Sequence, residues 1–387
     1  MKKRVAIVRG PNLNSWEMQN YFPLLDSYDI VGFTSYGHNY DVSEIPFRVK
    51  KLLSFGQIFR PRIFRGIMNN ILGDYHDLQG LSKVIHGYDI VHCVETSYYC
   101  TYQVAKIKKK HNFKLVVTVW ENIPFLYSLP ATERCKKVVF AETDLFLPTS
   151  ERAKQVLLLE GAPEEKIRVQ MPGVDTGHFK PMKKDSELLR RFDCKEDNFV
   201  ILCVANLYRE KGIYDLIFAF RALLNHFGEK SDLKLLIAGR GKEEANIRSL
   251  IRKLQLVNYV KLIGSYSYAM MPKIHNLADI FVLPSIPIQS WQEQFGYVLI
   301  ESMACGKPVI ATLCGSIPEV VGDAGILVQP NDFVSLVDTI SDLIKKENKR
   351  NILSQYGLKK VEENFSSHII VNNLNKHYRD LLENDTI

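Results

Sequence analysis

The stretch Glu293–Thr312 reads EQFGYVLIESMACGKPVIAT, and its succession of elements decides the fold. A polar loop carrying Glu293 closes on Phe295-Gly296. An apolar helical run follows, with Glu301 about one turn inside it. Gly306-Lys307-Pro308 stops that helix, and Val309–Ala311 restarts the chain as a buried strand. A glycine-containing loop feeding a helix leaves free backbone N–H groups at the positive end of the helix dipole, a setting that favours phosphate. Two carboxylates beside it have the wrong sign for phosphate but are strong acceptors for hydroxyl groups. A place that suits both an anion and a polyol suits a nucleotide sugar.

The same pattern extends in both directions. Short apolar runs bounded by turn residues alternate with amphipathic helical stretches. Strands are expected at Val5–Val8, Ile30–Thr34, Ile90–Val94, Leu115–Val119 and Leu145–Leu147, then at Val200–Val204, Leu233–Ala238, Val260–Ile263, Ile280–Leu283 and Val309–Ala311. Helical period fills Tyr214–Phe227 and Glu243–Leu254. Near-continuous apolar strands alternating with helices imply parallel sheets covered on both faces. A chain of 387 residues suits two such domains. The fold class is therefore α/β, with two Rossmann-like doubly wound domains. The Pro- and Gly-bearing stretch MPGVDTGHFKP (Met171–Pro181) marks the boundary, so the domains are expected at 1–176 and 177–365. A terminal helical segment, 366–387, carries apolar Ile369, Ile370, Leu374 and Leu381.

Composition narrows the class further. Hydrophobic content of 46% and charged content of 24% are those of a globular protein. The basic start MKKRVAIVRG has an apolar run too short for a secretory signal, and no run is long enough to span a bilayer. Seven cysteines, an odd number without a CxxC pair, read as reduced core residues of a cytoplasmic protein. The net charge of +7 is concentrated in residues 1–180, which hold 24 Lys/Arg against 18 Asp/Glu. Pro46–Gly73 alone has six basic residues, no acidic one, and interleaved Phe, Leu and Ile. Two readings of this segment stand side by side: docking on an anionic membrane surface, or an amphipathic helix pair covering the first sheet. The first would make the protein peripheral on the inner face of the cell membrane. A nucleic-acid partner is not expected.

The pair of glutamates eight positions apart, the Phe-Gly after the first, ACGKPVIAT after the second and the continuation GSIPEVVGDAGILV occur together and in order. This set resembles the donor-site signature of the retaining glycosyltransferases of family 4, in detail over about Val200–Pro330 and more loosely over the whole chain. The resemblance implies the GT-B fold, two Rossmann-like domains facing a central cleft, with the donor mainly on the second domain and the acceptor on the first. It also implies that the terminal helix crosses back to the first domain. The activity implied is transfer of a hexosyl group, with retention, from a uridine- or guanosine-linked sugar to a saccharide or lipid-linked acceptor in surface polysaccharide or glycolipid assembly. The donor is a substrate, and no cofactor is expected.

Carried over residue by residue, Lys211 in ANLYREKGIYDLI (Ala205–Ile217) matches the family lysine that holds the diphosphate. The usual arginine position is Asn206 here, a departure that leaves Arg209 as the candidate replacement. Glu301 matches the glutamate on the nucleoside ribose, and Glu293 the residue that holds sugar hydroxyls. The backbone N–H groups of Phe295, Gly296 and Tyr297 are expected against the sugar or its phosphate. Gly10, after the first strand, is a candidate at the diphosphate, and Gly264 lies where the base is expected. Where many relatives have a His motif, this chain has Trp120-Glu121-Asn122, so Glu121 or Asn122 is the candidate for orienting the acceptor hydroxyl. Trp120 is either an acceptor-side platform or structural. The histidines show no metal spacing and there is no Asp-x-Asp triplet, so a metal-independent reaction is expected. RGPNLN after the first strand is not the Gly-x-Gly-x-x-Gly of nicotinamide enzymes. The alternative kept open is a non-catalytic two-domain sugar-nucleotide-binding protein.

Overall fold

A computed structural model describes residues 2–54, 77–228 and 232–383. The chain divides into two compact units, residues 1–172 with 367–387, and residues 173–366. In the first unit β1 (Lys3–Gly10), β2 (Tyr28–Ser35), β3 (Arg48–Leu52), β4 (Ile90–Val94), β5 (Lys114–Val119) and β6 (Leu145–Pro148) form one sheet in the order β3-β2-β1-β4-β5-β6. In the second, β7 (Phe199–Val204), β8 (Leu233–Ala238), β9 (Val260–Gly264), β10 (Ile280–Leu283), β11 (Val309–Thr312) and β12 (Gly325–Val328) lie in the order β12-β11-β10-β7-β8-β9. All the named strand pairs are parallel. The architecture is α/β with two Rossmann-like doubly wound sheets, as the strand–helix alternation implies.

The ten strands expected from apolar runs are all present. Two more join them. Strand β3 falls in the basic segment and carries Arg48, Lys50 and Lys51; it pairs only with β2, at the sheet edge, and its residues are exposed or half-buried. Lysines on an edge strand block further pairing, so a charged strand there serves the fold. The helix-pair reading of Pro46–Gly73 does not hold for Arg48–Leu52, which is a strand; residues 55–73 of that segment lie outside the described residues. Strand β12, Gly325–Val328, pairs with β11 at the far edge of the second sheet.

The last helix, Ser367–Glu383, belongs to the first unit. Its buried Val371, Leu374 and Tyr378, spaced three and four apart, pack with Val5, Ile7, Tyr21 and Tyr28. Beneath this contact runs a buried polar network. Arg9, fully buried, donates Nε–H to Glu17 (2.8 Å) and Nη–H to the Tyr21 hydroxyl (2.8 Å) and to the His92 carbonyl (3.0 Å). His92 in turn contacts Thr118 Oγ1 at 2.7 Å and the Tyr378 hydroxyl at 2.6 Å. Burial, with the neighbouring Arg9, holds the His92 imidazole well below its usual range, so it is neutral.

Candidate active site

In the second unit the chain winds outward from β7 in one direction and returns at β10 to wind in the other. Loops leaving the C-terminal ends of these two adjacent strands therefore diverge and open a crevice, the usual binding place in such sheets. The loop after β7 makes a single turn of 3₁₀ helix at Arg209–Lys211 and ends on Gly212 at φ +67°. A Cβ at Gly212 would lie 1.8 Å from the Pro284 carbonyl oxygen, so only glycine lets the β7 turn press against the start of the β10 loop.

That close approach joins two residues 82 positions apart. Lys211 Nζ donates to Glu293 Oε2 at 2.7 Å, and Ser285 Oγ donates to the same oxygen at 2.9 Å. The Lys211 ammonium also sits 4.3 Å from the centre of the Trp291 ring. The Glu293 carbonyl accepts the Ser316 N–H from the β11 loop at 2.9 Å, so three loops fix this residue. Glu293 and Lys211 are both largely buried, which strengthens their attraction relative to a surface pair.

Arg209 is exposed, and its guanidinium lies 5.3 Å over the Tyr214 ring. The structure brings Lys211 rather than Arg209 to Glu293. Tyr214 donates its hydroxyl to Glu243 at 2.6 Å, and burial together with that carboxylate pushes the phenol up to about 12. Asn206 is exposed at the start of the same loop. Gly264 ends β9 at φ +80° and accepts the Gly239 N–H at 2.8 Å; it shares the C-terminal edge with Lys211 but stands two strands from β7.

Phe295 is 1% exposed and packs on Phe365 and Tyr297, so only its backbone is available to a ligand. Gly296, at φ +87°, caps the helix Tyr297–Ala304, and its carbonyl accepts the Leu299 N–H at 2.9 Å. Glu301, 4% exposed on that helix, has Oε2 3.3 Å from Nε2 of the fully buried His275. Sequence reading passed over His275, Ser285 and Trp291. A serine and a tryptophan in a polar loop carry no periodic signal, and His275 lies in a helical stretch among apolar neighbours.

In the first unit Gly10 ends β1 at φ +55°. Glu121, after β5, is 9% exposed, and its Oε1 accepts the N–H groups of Asn122 (3.0 Å) and Ile123 (2.9 Å). Burial pushes its carboxyl upward from the usual range. Asn122 is 1% exposed, and its carbonyl accepts Arg152 Nε–H at 3.2 Å. Both are buried, Glu121 the less completely of the two. Trp120 gives its backbone N–H to Glu95 Oε1 at 2.9 Å, a residue that sequence reading did not single out.

Comparison with known proteins bears on the same region. Residues 185–360 match the family model described as glycosyl transferases group 1. An N-acetyl-alpha-D-glucosaminyl L-malate synthase of Bacillus anthracis is 30% identical over 207 residues, 52% of this chain and 51% of that protein. A capsular polysaccharide biosynthesis glycosyltransferase of Staphylococcus aureus is 29% identical over 259 residues, 64% of each chain. These matches span about half to two thirds of the length of the curated relatives. Among solved structures, an Anabaena protein in complex with UDP and glucose superposes with a TM-score of 0.77 at 18% identity, covering 98% of this chain and 100% of that one. At that identity the likeness shows the fold alone, and the fold is GT-B.

Proposed function

We propose that this chain, whose residues 185–360 match the group 1 glycosyl transferases, is a glycosyltransferase that moves a hexosyl group from a nucleotide sugar to a hydroxyl acceptor in the assembly of a surface polysaccharide, glycolipid or related glycoconjugate. The observation that carries this reading is the contact of Lys211 with Glu293 at the β7/β10 switch point, with Glu301 about one turn inside the helix that follows. As the bond between the anomeric carbon and the diphosphate breaks, positive charge grows on the sugar and negative charge on the leaving phosphate. Lys211 and the N–H groups at Gly296–Tyr297 are fixed beforehand to meet that negative charge, and Glu293 meets the sugar. The Lys211 ammonium exchanges part of its contact with Glu293 for the diphosphate when donor binds. Glu301 accepts the ribose hydroxyls.

An N-acetyl-alpha-D-glucosaminyl L-malate synthase among the relatives and the UDP bound in the fold neighbour favour a uridine-linked donor here. The reaction is read as front-face transfer with retention, in which the leaving diphosphate takes the acceptor proton and no metal is required. Thermal-shift screening against UDP-glucose, UDP-N-acetylglucosamine and GDP-mannose is expected to show stabilisation by a UDP-sugar. A flat response to all three would remove the basis of this reading. Stabilisation without any UDP release, with cell extract supplied as acceptor, would favour the binding-only alternative.

Loss of hydrogen bonds to a charged group costs about 1.5–3 kcal/mol, so Glu301→Ala is expected to weaken donor binding roughly 10- to 150-fold. Calorimetric titration measures this; an unchanged Kd would remove Glu301 from the donor site. No helix among the described residues is long and apolar enough to cross a membrane. Docking of the basic segment 46–73 on an anionic bilayer is part of the proposal. Vesicle sedimentation with and without phosphatidylglycerol tests it, and equal recovery in the supernatant counts against it.

A further inference from the structure

Glu95 stands where β4 ends, beside β1, at the switch point of the first sheet. Its backbone is at φ +57°, a left-handed conformation that is costly for a residue with a side chain and that collects at functional sites. It is 7% exposed. Its N–H donates to the Thr118 carbonyl at 2.8 Å, and its Oε1 accepts the Trp120 N–H at 2.9 Å. One residue thus ties the end of β4 to the loop that carries Glu121. Its other oxygen, Oε2, is buried with no hydrogen-bond partner among the described residues.

The charges that face it are Glu121, on the loop after β5, and Lys136, on the helix Pro130–Glu142. Lys136 is itself held by Glu160 at 2.7 Å, so its charge is already matched. Burial, and then the Glu121 carboxylate, push Glu95 up to about 8. At neutral pH Glu95 keeps its proton, and two acids stand together with one of them neutral. A buried carboxyl with one oxygen unpaired on a left-handed backbone is costly; an apolar residue would avoid that cost but would leave the Trp120 N–H without its acceptor, so the position favours a carboxyl that holds the loop.

Resting on the transferase reading above, we propose that Glu95 is a positioning residue for the acceptor: it holds the Trp120–Asn122 loop so that Glu121 accepts a hydrogen bond from the acceptor hydroxyl. In the transfer the acceptor oxygen bonds to the anomeric carbon. The bond from that carbon to the phosphate oxygen breaks, its electron pair leaves on the phosphate, and the hydroxyl proton goes to the same phosphate. Glu121 orients and Glu95 sets Glu121. Above the Glu95 pKa a second buried negative charge appears beside Glu121, and the loop gives way.

The test follows UDP release from UDP-glucose, with water or methyl glycosides as acceptor, while calorimetry follows binding of UDP-glucose. Glu95→Leu is expected to lower turnover at least 30-fold with donor Kd unchanged within twofold. Glu95→Gln mimics the protonated acid and is expected to stay within about threefold of the unmodified protein at pH 7. It should also abolish the loss of turnover expected of the unmodified protein as pH climbs past about 8. Should Glu95→Leu fail to fold, the pH profile of Glu95→Gln decides alone. An alkaline limb unchanged in Glu95→Gln, or a Glu95→Leu protein that turns over normally or loses donor binding in parallel, overturns the assignment. If the unmodified protein does not bind UDP-glucose, the same measurements use whichever of UDP-N-acetylglucosamine or GDP-mannose stabilises it; absence of binding to all three, or binding without nucleotide release, overturns the transferase reading instead.

Discussion

Lys211→Ala is expected to lower kcat by about 10²–10³-fold, the usual loss when one preorganised donor to developing negative charge is removed. The physical case rests on where the ammonium is held. It lies 2.7 Å from Glu293 and 4.3 Å from the centre of the Trp291 ring, on a 3₁₀ turn that Gly212 seats against Pro284. An ammonium kept there by a carboxylate and a ring face is oriented before substrate arrives, so little reorganisation is needed in the transition state. The effect should fall mainly on kcat and less on the donor KM, because the phosphate charge that Lys211 meets grows as the bond breaks. Steady-state kinetics on UDP-sugar turnover measure it, with the thermal midpoint as a control for folding. A decrease of less than about threefold would place Lys211 outside the chemistry, below the range of such donors. Arg209→Ala, from the exposed neighbour that stacks on Tyr214, is the paired control and should cost far less.

Replacing Arg9 by Met is expected to destabilise the first unit by about 3–5 kcal/mol, the usual cost of removing one partner of a buried ion pair. The guanidinium is fully buried and meets Glu17, Tyr21 and the His92 carbonyl. Without it the Glu17 carboxylate has lost its counter-charge in a largely dry place. The double substitution Arg9→Met with Glu17→Leu should be less destabilising than Arg9→Met alone, because no uncompensated charge then stays inside. Urea unfolding of the four proteins of this cycle measures the difference. A double variant no more stable than the single one would mean that the network acts through packing and not charge. The same network gives a pH dependence. His92 is neutral when folded but takes a proton when unfolded, so stability is expected to fall as pH drops below the ordinary imidazole range and to be insensitive to this group above it.

Legibility of the chain follows burial. Residues Val200–Val204 or Ile280–Leu283 read as strands because a strand covered on both faces has to be apolar at every position. Arg48–Leu52 was not legible because at a sheet edge the same geometry tolerates, and benefits from, lysine. Within the site, Glu293, Glu301 and Lys211 were singled out through their motif, but their partners were not. Ser285, Trp291 and His275 have no sequence period of their own, and Arg209 was weighed beside Lys211 because sequence spacing says nothing about which way a turn aims its side chains.

By itself the sequence determined the class of the fold, the two sheets, most of their strands and the positions of the two glutamates, because all of these follow from local pattern: burial, helix period and turn chemistry. Only the tertiary structure decided that Lys211 meets Glu293, that Glu121 and Asn122 are both buried, and that Glu95 joins β4 to the loop after β5. Those facts depend on which strands lie side by side. Strand order is set by how the crossover helices pack on the whole sheet, and no local stretch of the chain contains that information.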